Sequence, residues 1–155
     1  MAAENYEGQW PIAKFHFRVD IDGEDISFQE VSGLEMETSV IEYRHGDSEN
    51  FYPTKTAGLV KTSNLVCKKG VFADDSELVE LFNKIFDEKA YYDSEDSRFD
   101  ILVELLDEEG EAVMTWNIIN AFPIKFSGTD LKSDANEIAI ESVEFAYEFI
   151  EMEMA

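Results

Sequence analysis

The sequence predicts a mainly β fold with one α-helix, an antiparallel β-sandwich or barrel spanning 1–155 as a single domain. Three observations predict it. Apolar and polar residues alternate with period two over most of the chain, the pattern of strands with one buried face. Asp-Gly and Glu-Gly pairs punctuate the runs as hairpin turns do. One segment alone carries apolar residues at helical spacing.

The elements follow in chain order. Phe15, Phe17, Val19 and Ile21 alternate with Lys14, His16, Arg18 and Asp20 as a first strand, and Asp22-Gly23 is a two-residue hairpin signal. Ile26 and Phe28 begin a return strand that ends near Ser32-Gly33. Glu35 to Arg44 is a third run, β-branched at Thr38, Val40 and Ile41. Residues 45–57 contain Gly46, Pro53 and small polar residues and are expected to be an extended loop, with the aromatic pair Phe51 and Tyr52 inside it. Leu59 to Val71 is the next strand.

The helix is expected over 76–89, with Ser76 as N-cap and Leu78, Val79, Leu81, Phe82, Ile85 and Phe86 on one face. Arg98 to Leu106 is a strand, Asp107 to Gly110 a turn, and Ala112 to Asn120 and Phe122 to Gly128 are further strands. In Glu137 to Glu151, Ile138 and Ile140 alternate in one phase and Val143, Phe145, Tyr147 and Phe149 in the other. That slip predicts a β-bulge, with a terminal helix as the competing reading. The sum is seven or eight strands, several longer than the usual length, and long edges recruit partners.

Composition narrows the partners. The chain has 35 Asp and Glu against 12 Lys and Arg, a net charge of −23. Such a surface disfavours stable binding to nucleic acid or anionic membrane, which needs clustered cations. It still permits a channel through which nucleic acid slides. The single Cys67 excludes an internal disulfide and a Cys-based zinc site. No basic, apolar leader opens the chain, so synthesis in the cytoplasm without a signal peptide is expected.

Chemistry is sparse. His16 and His45 are the two histidines, far from what a metal site needs, and no nucleophile or phosphate-loop motif occurs. Asp20, Asp22 and Asp25 in DIDGED resemble a calcium loop superficially, but the glycine comes too early and no bidentate Glu closes it. The expectation is no catalytic residue, no metal, no cofactor and no enzyme activity.

Three segments, in register along nearly the whole chain, resemble the tail tube family of contractile phages and related extracellular injection systems. They are FHFRVDIDGEDISFQEVSGLEME (Phe15 to Glu37), IEYRHGDSENFYPTKTAGLVKTSNLVCKKGVF (Ile41 to Phe72) and WNIINAFPIKFSGTDLKSDANEIAIESVEFAYE (Trp116 to Glu148). The first carries F-x-E-V-S-G-L, the second Tyr43-Arg44-x-Gly46, and the third Trp-x-x-x-Asn-Ala-x-Pro-x-Lys and I-E-S-V-E-F.

The resemblance implies a structural subunit of the tail-tube type that forms homo-hexameric rings, with strands of the six copies joining in a ring-wide β-barrel around a hollow lumen. Rings stack into a tube inside a contractile sheath, between a baseplate and a terminator, and protein cargo or DNA passes through. It leaves open a phage tail or an injection particle. The alternative is a secreted, type VI-like ring that carries effectors in its lumen.

In that family the loop after Tyr43-Arg44 reaches the neighbouring ring, which makes Tyr43, Arg44, His45, Phe51, Tyr52 and Pro53 the inter-ring candidates. An aromatic loop of this kind also suits burial against a partner on its own terms. Glu37, Glu42, Glu104 and Glu141 are the lumen-facing acidic candidates, since carboxylates repel phosphate and acidic cargo.

Overall fold

The computed structural model describes residues 16–72, 77–83, 98–134 and 136–154. Ten strands and one helix occur among them: β1 (Phe17–Ile21), β2 (Glu24–Ile26), β3 (Glu30–Ser32), β4 (Met36–Tyr43), β5 (Thr54–Thr62), β6 (Leu65–Gly70), α1 (Glu77–Phe82), β7 (Phe99–Leu106), β8 (Ala112–Ser127), β9 (Ile140–Ala146) and β10 (Phe149–Met154). The main sheet runs β2-β1-β7-β8-β9-β6-β3, with β10 on β8 as well, and all its pairs are antiparallel. β4 and β5 form a separate two-stranded ribbon.

Period two places the core. Val19 and Ile21, Ile101 and Val103, Leu65 and Cys67, and Val143 and Phe145 all point inward and are buried, as alternation demands. Phe99 and Phe145 meet edge to face at 5.9 Å and 82°, a favoured aromatic geometry. Leu78 of α1 is buried in the same core. The remainder of the expected helix, Ser76 and 84–89, lies outside the described residues.

β8 makes the sheet close over this core. Its first stretch pairs with β7 on one edge and β10 on the other; from Phe122 to Ser127 it pairs with β9. The change of partner falls at Asn120, where φ is 57°. Asparagine is among the few residues that tolerate this left-handed conformation. The backbone N–H of Asn120 donates to Asp100 Oδ1 at 3.1 Å, and its Nδ2 donates to Glu148 Oε2 at 2.8 Å. Arg98 donates to the other oxygen of Glu148 at 2.9 Å and lies 4.7 Å over the Phe122 ring.

Several sequence expectations change in detail. The Asp22-Gly23 turn forms as expected, with φ of 53° and 84°. The single return strand 26–32 divides into β2, which pairs with β1, and β3, which pairs with β6. The run Leu59 to Val71 divides at Ser63-Asn64 into the ends of β5 and β6, so the segment expected as loop over 45–57 is strand from Thr54 onward. Thr54 to Ala57 find partners in Tyr43 to Val40, a pairing that composition does not reveal. The phase slip near the C-terminus falls later than expected. Tyr147 and Ile150 are both inward, and the break lies between Ala146 and Phe149.

Candidate functional site

The ribbon β4–β5 stands apart from the core. Every residue of β4 is exposed, and β5 is exposed at all but Gly58 and Thr62. Val40, Ile41, Tyr43, Leu59 and Val60 nevertheless present apolar surface on it. A two-stranded ribbon is marginal in water unless something packs against it, and apolar surface of this extent marks an interaction site.

The tip, Tyr43 at the end of β4 and residues 44–53 beyond it, gathers the predicted contact residues. Arg44 organises it from within: its Nε donates to the carbonyl of Asn50 at 3.0 Å, Nη2 reaches the carbonyl of Ser48 at 3.4 Å, and the guanidinium lies 5.8 Å from the Phe51 ring centre. Tyr43 and His45 meet edge to face at 4.8 Å and 87°, with the Tyr43 hydroxyl 3.1 Å from His45 Nδ1. Phe51 is 94% exposed and Tyr52 67%. Pro53 is half-buried at the start of β5. Arg44 and the Tyr43–His45 pair thus hold the loop in one shape while its two large aromatics face solvent.

The ribbon's base is held by residues that sequence reasoning did not single out. The Tyr147 hydroxyl donates to the carbonyl of Gly33 at 2.8 Å and lies 3.2 Å from that of Glu35. Burial holds this hydroxyl protonated above its ordinary range, which keeps it a donor. Thr62 Oγ1 donates back to the carbonyl of Tyr147 at 3.0 Å, and Ser63 Oγ donates to Glu35 Oε1 at 2.5 Å. Gly33 has φ of 91°, and a Cβ there would run into the carbonyl oxygen of Asn64. Glycine is the residue for such a place, which gives the Ser-Gly of the first motif a physical meaning. Both ends of the ribbon are therefore tied to the body at one hub.

The four acidic candidates separate. Glu37 and Glu42 are exposed on β4, and Glu42 is 3.7 Å from Lys55 across the ribbon. Glu104 lies on the outer face of β7, half-buried, and accepts from Arg18 at 2.6 Å. Glu141 is a correction. It points inward with Val143 and Phe145, 8% exposed, and lies 3.8 Å from Lys69, which is 1% exposed. An inward ion pair beside the core is not available to line a channel. Lys69 shares the parity of Leu65 and Cys67, the sequence signal that would have placed it inside.

The outer sheet face holds acids that were not anticipated. Strand register sets Arg18, Glu104, Thr115 and Glu153 in one row across β1, β7, β8 and β10, and Asp20, Leu102, Asn117 and Glu151 in the next. Glu151 and Glu153 extend this polar face to the border of the sheet.

Known structures share this arrangement. A chain of an extracellular contractile injection system, in its PVC sheath-tube complex, matches with a TM-score of 0.83 and 28% identity over 100% of this chain and 99% of that one. A chain of the PVC sheath/tube terminator matches at 0.81 with 30% identity, covering 94% and 98%. Hcp1 from Flavobacterium johnsoniae shares the fold alone, at 0.52 with 12% identity over 91% and 97%. A search of curated protein sequences returns no match. The model of the T4-like virus tail tube protein gp19 family matches residues 13–151, and the chain belongs to that family of tail tube proteins.

Proposed function

We propose that this chain is the structural subunit of the inner tube of a contractile injection system. Six copies close a ring around a hollow lumen, and rings stack into a tube. The observation that carries this reading is the ribbon β4–β5, whose exposed apolar residues and unsupported strands make sense against other copies of the chain. The similarity to the sheath-tube and terminator chains, at 28% and 30% identity, supports a sheath around the tube and a terminator at its end. The anti-feeding prophage baseplate, similar in fold, is consistent with a baseplate at the other end. The type VI-like carrier is the weaker reading, because its likeness stops at the fold.

The role is mechanical, with no catalytic step and no cofactor. Synthesis in the cytoplasm and assembly into an extracellular or phage-like particle follow from the same reading. The tip residues Tyr43, Arg44, His45, Phe51, Tyr52 and Pro53 contact the next ring. Glu104 and its row-mates Glu151 and Glu153, with Glu37 and Glu42 on the ribbon, are the acids that face the lumen. They let protein or DNA cargo pass by like-charge repulsion rather than binding.

Negative-stain electron microscopy of the purified chain tests this: rings or tubes with a central hole are expected. Dispersed single particles at every concentration would rule it out. In F51A/Y52A, rings are expected to persist while stacking fails; tubes of normal length would remove the tip from the contact between rings.

A further inference from the structure

The ribbon β4–β5 leaves the body where β3 and β9 end and β6 begins, at the hub of Gly33, Ser63 and Tyr147. A groove of about 510 Å³ lies at the opposite end of the same strands, where β3 and β9 start and β6 finishes. Its floor is one cross-strand row: Glu30 on β3, Lys68 on β6, Ser142 on β9 and Ser127 on β8 are successive partners. Lys68 and Ser142 have the parity opposite to the buried Cys67 and Val143, so the groove opens on the outer face.

Apolar surface collects beside this row. Ile140 lines the groove and pairs with Gly70. The Phe72 ring lies over the bare backbone of Gly70, 3.7 Å from where a Cβ would stand. Val71, Phe72 and Ile138 are exposed, and the N–H of Val71 donates to the carbonyl of Ala139 at 3.0 Å, which keeps both segments together past the strand ends. The groove thus has an apolar wall at Ile140 and Phe72 and hydroxyls at Ser127 and Ser142. A side chain with an apolar ring and a polar end suits such a place.

We infer that this groove receives the ribbon tip of a second copy, with Tyr52 seated between the apolar wall and the serines and Phe51 against Phe72 and Ile138. The inference rests on the proposed stacking of rings and goes further, naming the site that receives the tip. Arg44 already holds the tip in one shape with both aromatics outside, so little ordering is left to oppose docking. Each aromatic can bury about 150–250 Å² there. Tip and groove belong to opposite ends of the strands, so the contact repeats head to tail and propagates along a stack.

Charge agrees. The tip exposes Asp47 and Glu49, and Lys68 is a cation on the groove floor. Its partner Glu30 is 3.9 Å away with both side chains half-exposed, a pair too weak to withhold Lys68 from an incoming carboxylate. A shallower groove of about 300 Å³ lies beside Val40 and Lys55. It belongs to the ribbon itself, and a tip seated there would lay ribbon along ribbon and leave Phe72 and Ile138 in water.

The test places a photo-reactive ring at the tip of the full chain, Tyr52→p-benzoylphenylalanine, which keeps that position aromatic. Irradiation under tube-forming conditions should give bands of two and more copies on denaturing gels. Mass spectrometry should map the adducts to Phe72, Ser127, Ile140 or Ser142 of another copy. Ser142→Trp fills the groove and leaves the tip intact; rings are expected to persist and tubes to be lost, with circular dichroism as the check on folding. The adduct map decides the matter even where that variant fails to fold.

Tubes of normal length in Ser142→Trp overturn the inference. So do adducts confined to the ribbon near Val40 and Lys55, to β10 or to the same copy, and so do tubes that stay uncrosslinked. Wild-type tubes beside such a result exclude this groove and leave the tube reading intact, whereas a wild type dispersed at every concentration sinks both.

Discussion

At Tyr147 a single hydroxyl fixes how the ribbon leaves the body, because its acceptors Gly33 and Glu35 precede β4 directly. Tyr147→Phe leaves those carbonyls without this donor, and about 1–2 kcal/mol of stability should be lost in urea titration. Amide exchange at 33–36 and 62–64 should also quicken; unchanged exchange there would show that the ribbon is held by other means. Cys67 gives a pH signature. Burial pushes its thiol from an ordinary 9.0 up to about 12, so the folded state keeps it neutral where the unfolded state ionises. Its contribution is complete below pH 9 and is lost as pH rises from there to 12. The urea midpoint should fall more steeply over that window than in Cys67→Val, and a thiol reagent at pH 8 should react only on unfolding. Equal slopes would contradict the burial argument. The inward pair Lys69–Glu141 was half legible: parity assigns Lys69 to the core face, but the strand register that sets Glu141 opposite it is a long-range choice.

At the scale of elements, β8 is the unusual one, sixteen residues that serve two halves of a sheet. The sequence shows two runs separated at Asn120-Ala121, and their division was readable. Their continuity through a left-handed Asn120 was not, since the bend depends on Asp100 and Glu148 from other strands. Asn120→Val should cost about 2 kcal/mol or more, from backbone strain and the lost hydrogen bond to Glu148. Asn120→Gly, which keeps the conformation, should cost about 1 kcal/mol. Equal losses in thermal unfolding would mean that φ is not what constrains this position. The ribbon shows the complementary case. Its first strand was visible from Val40 and Ile41, but the paired half of the loop was hidden because Thr54 to Ala57 follows Pro53 and has no large apolar residue to set an alternation, although Thr54 and Thr56 are β-branched.

For the molecule as a whole, charge sets the conditions of assembly. A ring of six copies carries 6 × −23 = −138, and screening acts over roughly 8 Å at physiological salt. Added salt relieves this repulsion more than it weakens the few cationic contacts, so light scattering should report easier assembly as salt rises. A steady weakening would show that local attraction dominates. The sequence by itself determined the β class, the two Asp/Glu-Gly turns, the family motifs and the acidic balance, because each is written in residues adjacent along the chain. Tertiary structure alone decided which strands pair, what Glu141 and Tyr147 meet, and which edges are left open. Those depend on partners tens of residues away, and alternation assigns a side chain to a face without saying what lies opposite it.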